Sequence, residues 1–165
     1  MKPILINEKI TIAKNLHGRW GEALRTDSGI SAQLREFSAR VEASTYFCLL
    51  SGVARACRLC DQEEGGSCCG AGIEDLYSPE LLLINLLLGA ALPESRNSEK
   101  SCYFGGERGC VLSAREIICV NYLCARLQKT IAPEKLFQLQ EANGSEMELL
   151  FLLHNTIRNF IRSTR

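Results

Sequence analysis

The chain is 165 residues long, 46% apolar, with 19 Lys and Arg set against 19 Asp and Glu. That is enough for one domain, residues 1–165, with a substantial core, and a second independent domain would be cramped. A net charge of zero gives no summed field toward phosphate backbones or anionic membranes, so bulk nucleic-acid and membrane-surface binding are disfavoured; Arg158, Arg162 and Arg165 leave only a local basic recurrence.

The first residues, MKPILINEKITIAK, hold an apolar run only at Ile4 to Ile6. That run is too brief for a secretory h-region, and the expected compartment is the cytoplasm. KITIAK fits one short strand or a helical turn. From residue 31 to about 58, apolar side chains at Leu34, Phe37, Val41, Leu49, Leu50, Val53 and Ala54 with charges between them predict an amphipathic helix, capped by Ser31. Cys57 and Cys60 should then lie at or just beyond its C-terminal end. Cys48, among the apolar neighbours of TYFCLL, is expected to be a buried, inert thiol. The glycine-rich EEGGSCCGAG that follows reads as a tight loop wrapping something.

Ser78, Pro79 and Glu80 supply a cap, a proline at the first helical position and an acid in the first turn, predicting a helix over about 79–88 that Gly89 ends. The greasy stretch LLLINLLLGAAL, Leu81 to Leu92, is well short of the about 18 residues of a membrane span and reads as a buried helix. Residues 93 to 109 are polar and glycine-containing, the expected long loop. Ser113 with Glu116 makes a capping box for a helix to about Lys129. On such a helix Cys119 and Cys124 would stand ~140° apart around the axis, so the helix deforms, the two serve different sites, or one is core. Pro133 and Glu134 begin a short helix that Gly144 should close. Ser145 with Glu148 opens a final one to about Arg162, striped by Leu149, Leu150, Leu153, Ile157, Phe160 and Ile161. The expected fold is all-α, a single-domain helical bundle with a cysteine-rich, metal-stabilised loop region at about 57–124.

Eight of the nine cysteines fall in two runs, Cys57, Cys60, Cys68, Cys69 and Cys102, Cys110, Cys119, Cys124. Thiolates at this density select zinc or iron-sulfur iron over hard cations, and in a reducing compartment they ligate metal or do redox work more often than they form disulfides. A CxxC lets two sulfurs reach one metal, and the vicinal Cys68 and Cys69 serve different metals or different corners of a cluster. Glycines at 65, 66, 70 and 72 let the backbone approach a charged centre. A thioredoxin-like dithiol is discounted, because its reactive cysteine needs a helix N-terminus and this CxxC follows a helix. One CxxC instead of two, later gaps of seven, eight and four residues, and no histidine nearby in sequence favour an iron-sulfur cluster, with zinc as the alternative of equal ligand softness.

These residues resemble the YkgJ-type cysteine cluster family, a zinc- or iron-chelating domain marked by a CxxC and CC box. Its downstream half, a cysteine, a glycine-preceded cysteine and an arginine-proline shortly before a further cysteine, corresponds to Cys102, to Gly109 with Cys110, and to Arg115-Glu116-Ile-Ile-Cys119. Seven residues separate Cys60 from Cys68, more than in the shortest form of the box, and Glu116 stands where proline is usual. The resemblance spans about residues 57 to 124 and implies metal binding. It also implies an alternative, since some cysteine-cluster proteins like these are linked to lysine methylation on flagellin.

His17 and His154, far in sequence from any cysteine run, are expected to be structural. Arg115 is either a partner of the sulfurs or an exposed first-turn residue, and Glu63 and Glu64 belong to a solvated loop. No phosphate loop, dinucleotide fingerprint, nucleophile elbow or zinc-protease helix is present. The expected function is metal binding through Cys57, Cys60, Cys68, Cys69, Cys102, Cys110, Cys119 and Cys124, in a structural, electron-transfer or redox-sensing role acting through a protein partner. An enzyme would need a pocket lined by Arg115, Glu116 or Asn121 beside the thiols.

Overall fold

The computed structural model describes residues 4–63, 68–107 and 109–164. Helix α1 spans Ile6–Thr26, where the sequence predicts only a short strand or a turn. The Glu8 carboxylate accepts the Leu5 N–H at 3.1 Å, which satisfies one orphan donor at its start. Ile6, Ile10, Ala13, Gly21 and Leu24 make the buried face. The alternation in KITIAK is too short to reveal that helical spacing, which emerges only over the whole segment.

The helix expected over 31–58 is two helices. Helix α2, Ser28–Ser51, starts three residues early because the Asp27 side chain, not Ser31, caps it by accepting the Ile30 N–H at 2.9 Å. It stops at Gly52, whose φ of 87° is left-handed and open to glycine without steric cost. Helix α3, Val53–Glu63, follows. After a 3-10 turn at Ile73–Leu76, helix α4 occupies Pro79–Leu87 as the cap and proline predict, with Ser78 Oγ accepting the Leu81 N–H at 3.1 Å. Leu81, Leu82, Leu83, Ile84 and Leu87 are all buried.

The loop that follows contains a minimal antiparallel hairpin, β1 at Gly105–Gly106 and β2 at Gly109–Cys110. The single helix expected from Ser113 to Lys129 is instead α5, Ile117–Asn121, and α6, Ala125–Thr130. Two buried amides explain this. Asn85 Oδ1 accepts the N–H groups of Ser113 and Ala114 at 2.9 and 3.0 Å, so no helix opens there and Glu116 takes the cap position. Asn143 Nδ2 donates to the Val120 carbonyl at 2.7 Å, the group a continuing helix would offer to residue 124.

Helix α7 runs unbroken over Pro133–Ser163, so Gly144 closes nothing and Ser145 caps nothing. Leu136, Leu139, Leu149, Leu150, Leu153, Ile157 and Ile161 form one buried stripe along it. Packing on both sides of Gly144 outweighs the about 1 kcal/mol that glycine costs a helix interior. Helix α7 lies along α2, and α1 lies on α4. The main core gathers α1, α2, α4, α7 and the aromatic rings Tyr77, Tyr103 and Phe104, while a smaller cluster of Val53, Leu127, Leu136 and Leu139 sits under α3 and α6. The protein is mainly helical. Among the described residues no helix is long and apolar enough to cross a membrane.

Candidate metal centre

Backbone pairing joins the two cysteine runs. The Cys102 N–H donates to the Cys69 carbonyl at 2.7 Å, the Ala71 N–H to that of Lys100 at 3.0 Å, and Gly70 and Ser101 form an antiparallel bridge. Glu74 holds this junction from beneath. Its buried carboxylate pairs with Arg96 and accepts the N–H groups of Gly72 and Tyr103 at 3.0 and 3.3 Å, while Arg96 Nη1 donates to the Ser101 carbonyl at 2.6 Å.

Cys57 and Cys60 lie within α3, not at or past a helix end, and at positions i and i+3 they share one helix face. They are half-buried and sit away from the helix N-terminus that an activated dithiol would use. Cys68 and Cys69 are exposed and Cys102 is buried beside the rings of Tyr103 and Phe104. Cys110 is exposed as a residue in the hairpin. Cys119 lies on α5 and accepts the Tyr77 hydroxyl at 3.9 Å, and Cys124 sits at the cap position of α6. With α5 and α6 separate, the ~140° divergence expected for Cys119 and Cys124 does not apply. Cys124 packs with Cys57 and Cys48 against the smaller apolar cluster. Cys48 is half-buried there and not sealed in the core.

Burial, and the cost of ionising one thiol near another, raise several of these cysteines. Burial first, then Cys48, Cys69, Cys124 and Cys60, push the Cys57 thiol up to about 11. Cys102 is also raised to about 11, by burial and then by Glu74, Cys119 and Cys69, against a hydrogen bond from the Phe104 backbone. A hydrogen bond to Cys69, then burial, pushes Cys68 far up. Burial raises Cys110, with Cys102 and Cys69 adding to it, and raises Cys119, with Cys110 and Cys69 adding to it; Arg115 opposes both shifts. Cys69 contributes to the upward shifts of Cys57 and Cys68 in its own run and of Cys102, Cys110 and Cys119 in the other. Cys57, Cys68, Cys102, Cys110 and Cys119, all raised, hold their protons at neutral pH.

Among the described residues no group of three or more Cys, His, Asp or Glu side chains is arranged to hold a metal ion. The donor atoms that the two runs offer are thiols, which as a type suit soft metals over hard ones. Glu64, Gly65 and Gly66 and the side chain of Glu63 lie outside the described residues, as does Arg165.

Neither histidine stands with the cysteines. The His17 ring lies against Gly21 and pairs with Arg25 at 3.1 Å, and His154 meets the Ser78 hydroxyl at 3.3 Å. A pocket of about 380 Å³ is lined by Gly106, Glu107, Gly109, Cys110 and Val111, and another of about 310 Å³ by Ile4, Leu5, Lys9 and Asp75. Neither is lined by Arg115, Glu116 or Asn121. Sequence reasoning missed Glu74, Asn85 and Asn143, the buried polar groups that fix the cysteine-bearing segments. A polar residue flanked by apolar ones, as Asn85 is within LLLINLLL, was the available signal. Compared with known proteins, the chain matches no family model, no curated protein and no solved structure.

Proposed function

We propose that this protein is a cytoplasmic, YkgJ-type metal-binding protein, with a cysteine-ligated iron-sulfur cluster, or zinc as the alternative, in a structural, electron-transfer or redox-sensing role. The observation that carries the reading is the backbone pairing of the two runs, where the Cys69 carbonyl accepts the Cys102 N–H at 2.7 Å and Gly70 and Ser101 form an antiparallel bridge. The eight cysteines of the two runs are the proposed ligands. Bound there, an iron-sulfur cluster supplies one-electron chemistry, whereas zinc supplies only a cross-link. The chain's own part is to hold the runs in place: Glu74 and Arg96 brace the paired segments, and Asn85 and Asn143 fix the backbone at 113–114 and 120. A protein partner belongs to this reading, supported by the exposed apolar side chains Tyr46 and Leu49 on α2 and Phe137 and Phe151 on α7.

Serine substitution tests the ligand set. Cys68→Ser and Cys69→Ser should lose bound metal and loosen the loop, whereas Cys48→Ser should keep its metal content, because metal binding and local folding are linked. Equal metal content in all three variants would remove the basis for the ligand assignment.

A further inference from the structure

Of the nine cysteines only Cys68, Cys69 and Cys110 are exposed, and Cys68 and Cys69 are neighbours in the chain. Neighbours on an extended strand point to opposite faces. Residues 68 and 69 stand instead in a turn, just before the bridge between Gly70 and Ser101, and a hydrogen bond joins their two thiols. The two sulfurs therefore face solvent together, on Cα atoms about 3.8 Å apart.

Their base is fixed. The Cys69 carbonyl accepts the Cys102 N–H at 2.7 Å, the Ala71 N–H donates to the Lys100 carbonyl at 3.0 Å, and Arg96 donates to the Ser101 carbonyl at 2.6 Å. A dithiol held in this way has less freedom to lose, when one atom bridges it, than two cysteines on a free chain. The other closely spaced pair, Cys57 and Cys60, is half-buried on α3, and Cys102 is buried.

We infer that Cys68 and Cys69 form a capture site for trivalent arsenic bearing one inert substituent. Such a centre is soft and needs only two sulfurs, because its substituent fills the third position. With phenylarsine oxide as the probe, two S–H bonds and the arsenic–oxygen bond break and two arsenic–sulfur bonds form. The oxygen leaves as water with both thiol protons, arsenic stays trivalent, and nothing is oxidised or reduced. The inference stands apart from the metal-binding reading, since it uses neither a metal nor the other cysteines.

The test uses the full chain, reduced and freed of metal by chelator, with phenylarsine oxide added and intact mass recorded. One arsenical per chain is expected, retained in excess monothiol and released by a small dithiol. Alkylation followed by peptide mapping of the wild-type adduct should find Cys68 and Cys69 protected and the other cysteines reactive once the chain is unfolded. Cys68→Ser and Cys69→Ser should each weaken binding about a hundredfold, the scale of losing an intramolecular second bond, while Cys48→Ser should bind as wild type. The wild-type map serves where a serine variant does not fold. No adduct, an adduct that monothiol removes, or one that protects Cys57 and Cys60 instead would overturn the inference and leave the metal analysis as it stands.

Discussion

Glu74 is buried, which by itself would raise its carboxyl, yet hydrogen bonds from its own backbone, Arg96, Tyr103 and Gly72 outweigh burial and hold it below the ordinary 4.5. A folded-state value below the unfolded one means that the unfolded chain binds the proton more tightly. The stability this contributes is complete above about pH 4.5 and is lost as pH falls through the lowered folded value. Glu74→Gln should therefore cost about 1–3 kcal/mol at pH 7 and flatten the fall in stability below pH 4.5, read from urea midpoints across pH. The sequence marked the cysteines themselves, because packing alone does not account for thiols at that density. It did not mark Glu74, Asn85 or Asn143, because one polar residue in a chain says nothing of which distant backbone groups it will meet.

At the scale of elements, caps at the surface were legible and interruptions from within were not. Ser78 with Pro79 starts α4 where the pattern places it, and Gly89, at φ 86°, follows its end. The apolar stripe read for the last helix is buried at Leu149, Leu150, Leu153, Ile157 and Ile161, with Phe160 half-buried. Ser113 and Ser145 carry equally good capping patterns and cap nothing: a side chain of another helix holds the backbone at 113, and α7 is already helical when it reaches 145. Gly144 is exposed, with open space where a Cβ would go. Gly144→Ala should therefore stabilise the protein by about 0.5–1 kcal/mol, raising the thermal midpoint by a few degrees. A fall in the midpoint would mean that the chain does end a helix at that residue.

For the molecule as a whole, a helical scaffold carries loops whose strand-like pairing at 69–71 and 100–102 ties Cys69 to Cys102 through the backbone. The mainly helical class followed from spacing and caps along the chain. The pairing of 69–71 with 100–102 did not, because it depends on loop-to-loop hydrogen bonds and on a buried Glu74 whose carboxylate reaches the Tyr103 backbone across the chain. Iron and zinc analysis of anaerobically purified protein, taken with its absorption spectrum, tests the central claim most directly. The expected result is stoichiometric iron with a broad band near ~400 nm from sulfur-to-iron charge transfer; colourless protein with stoichiometric zinc would keep the thiolate centre and change its metal. Protein that carries neither metal, with all nine cysteines titrating as free thiols, would contradict it.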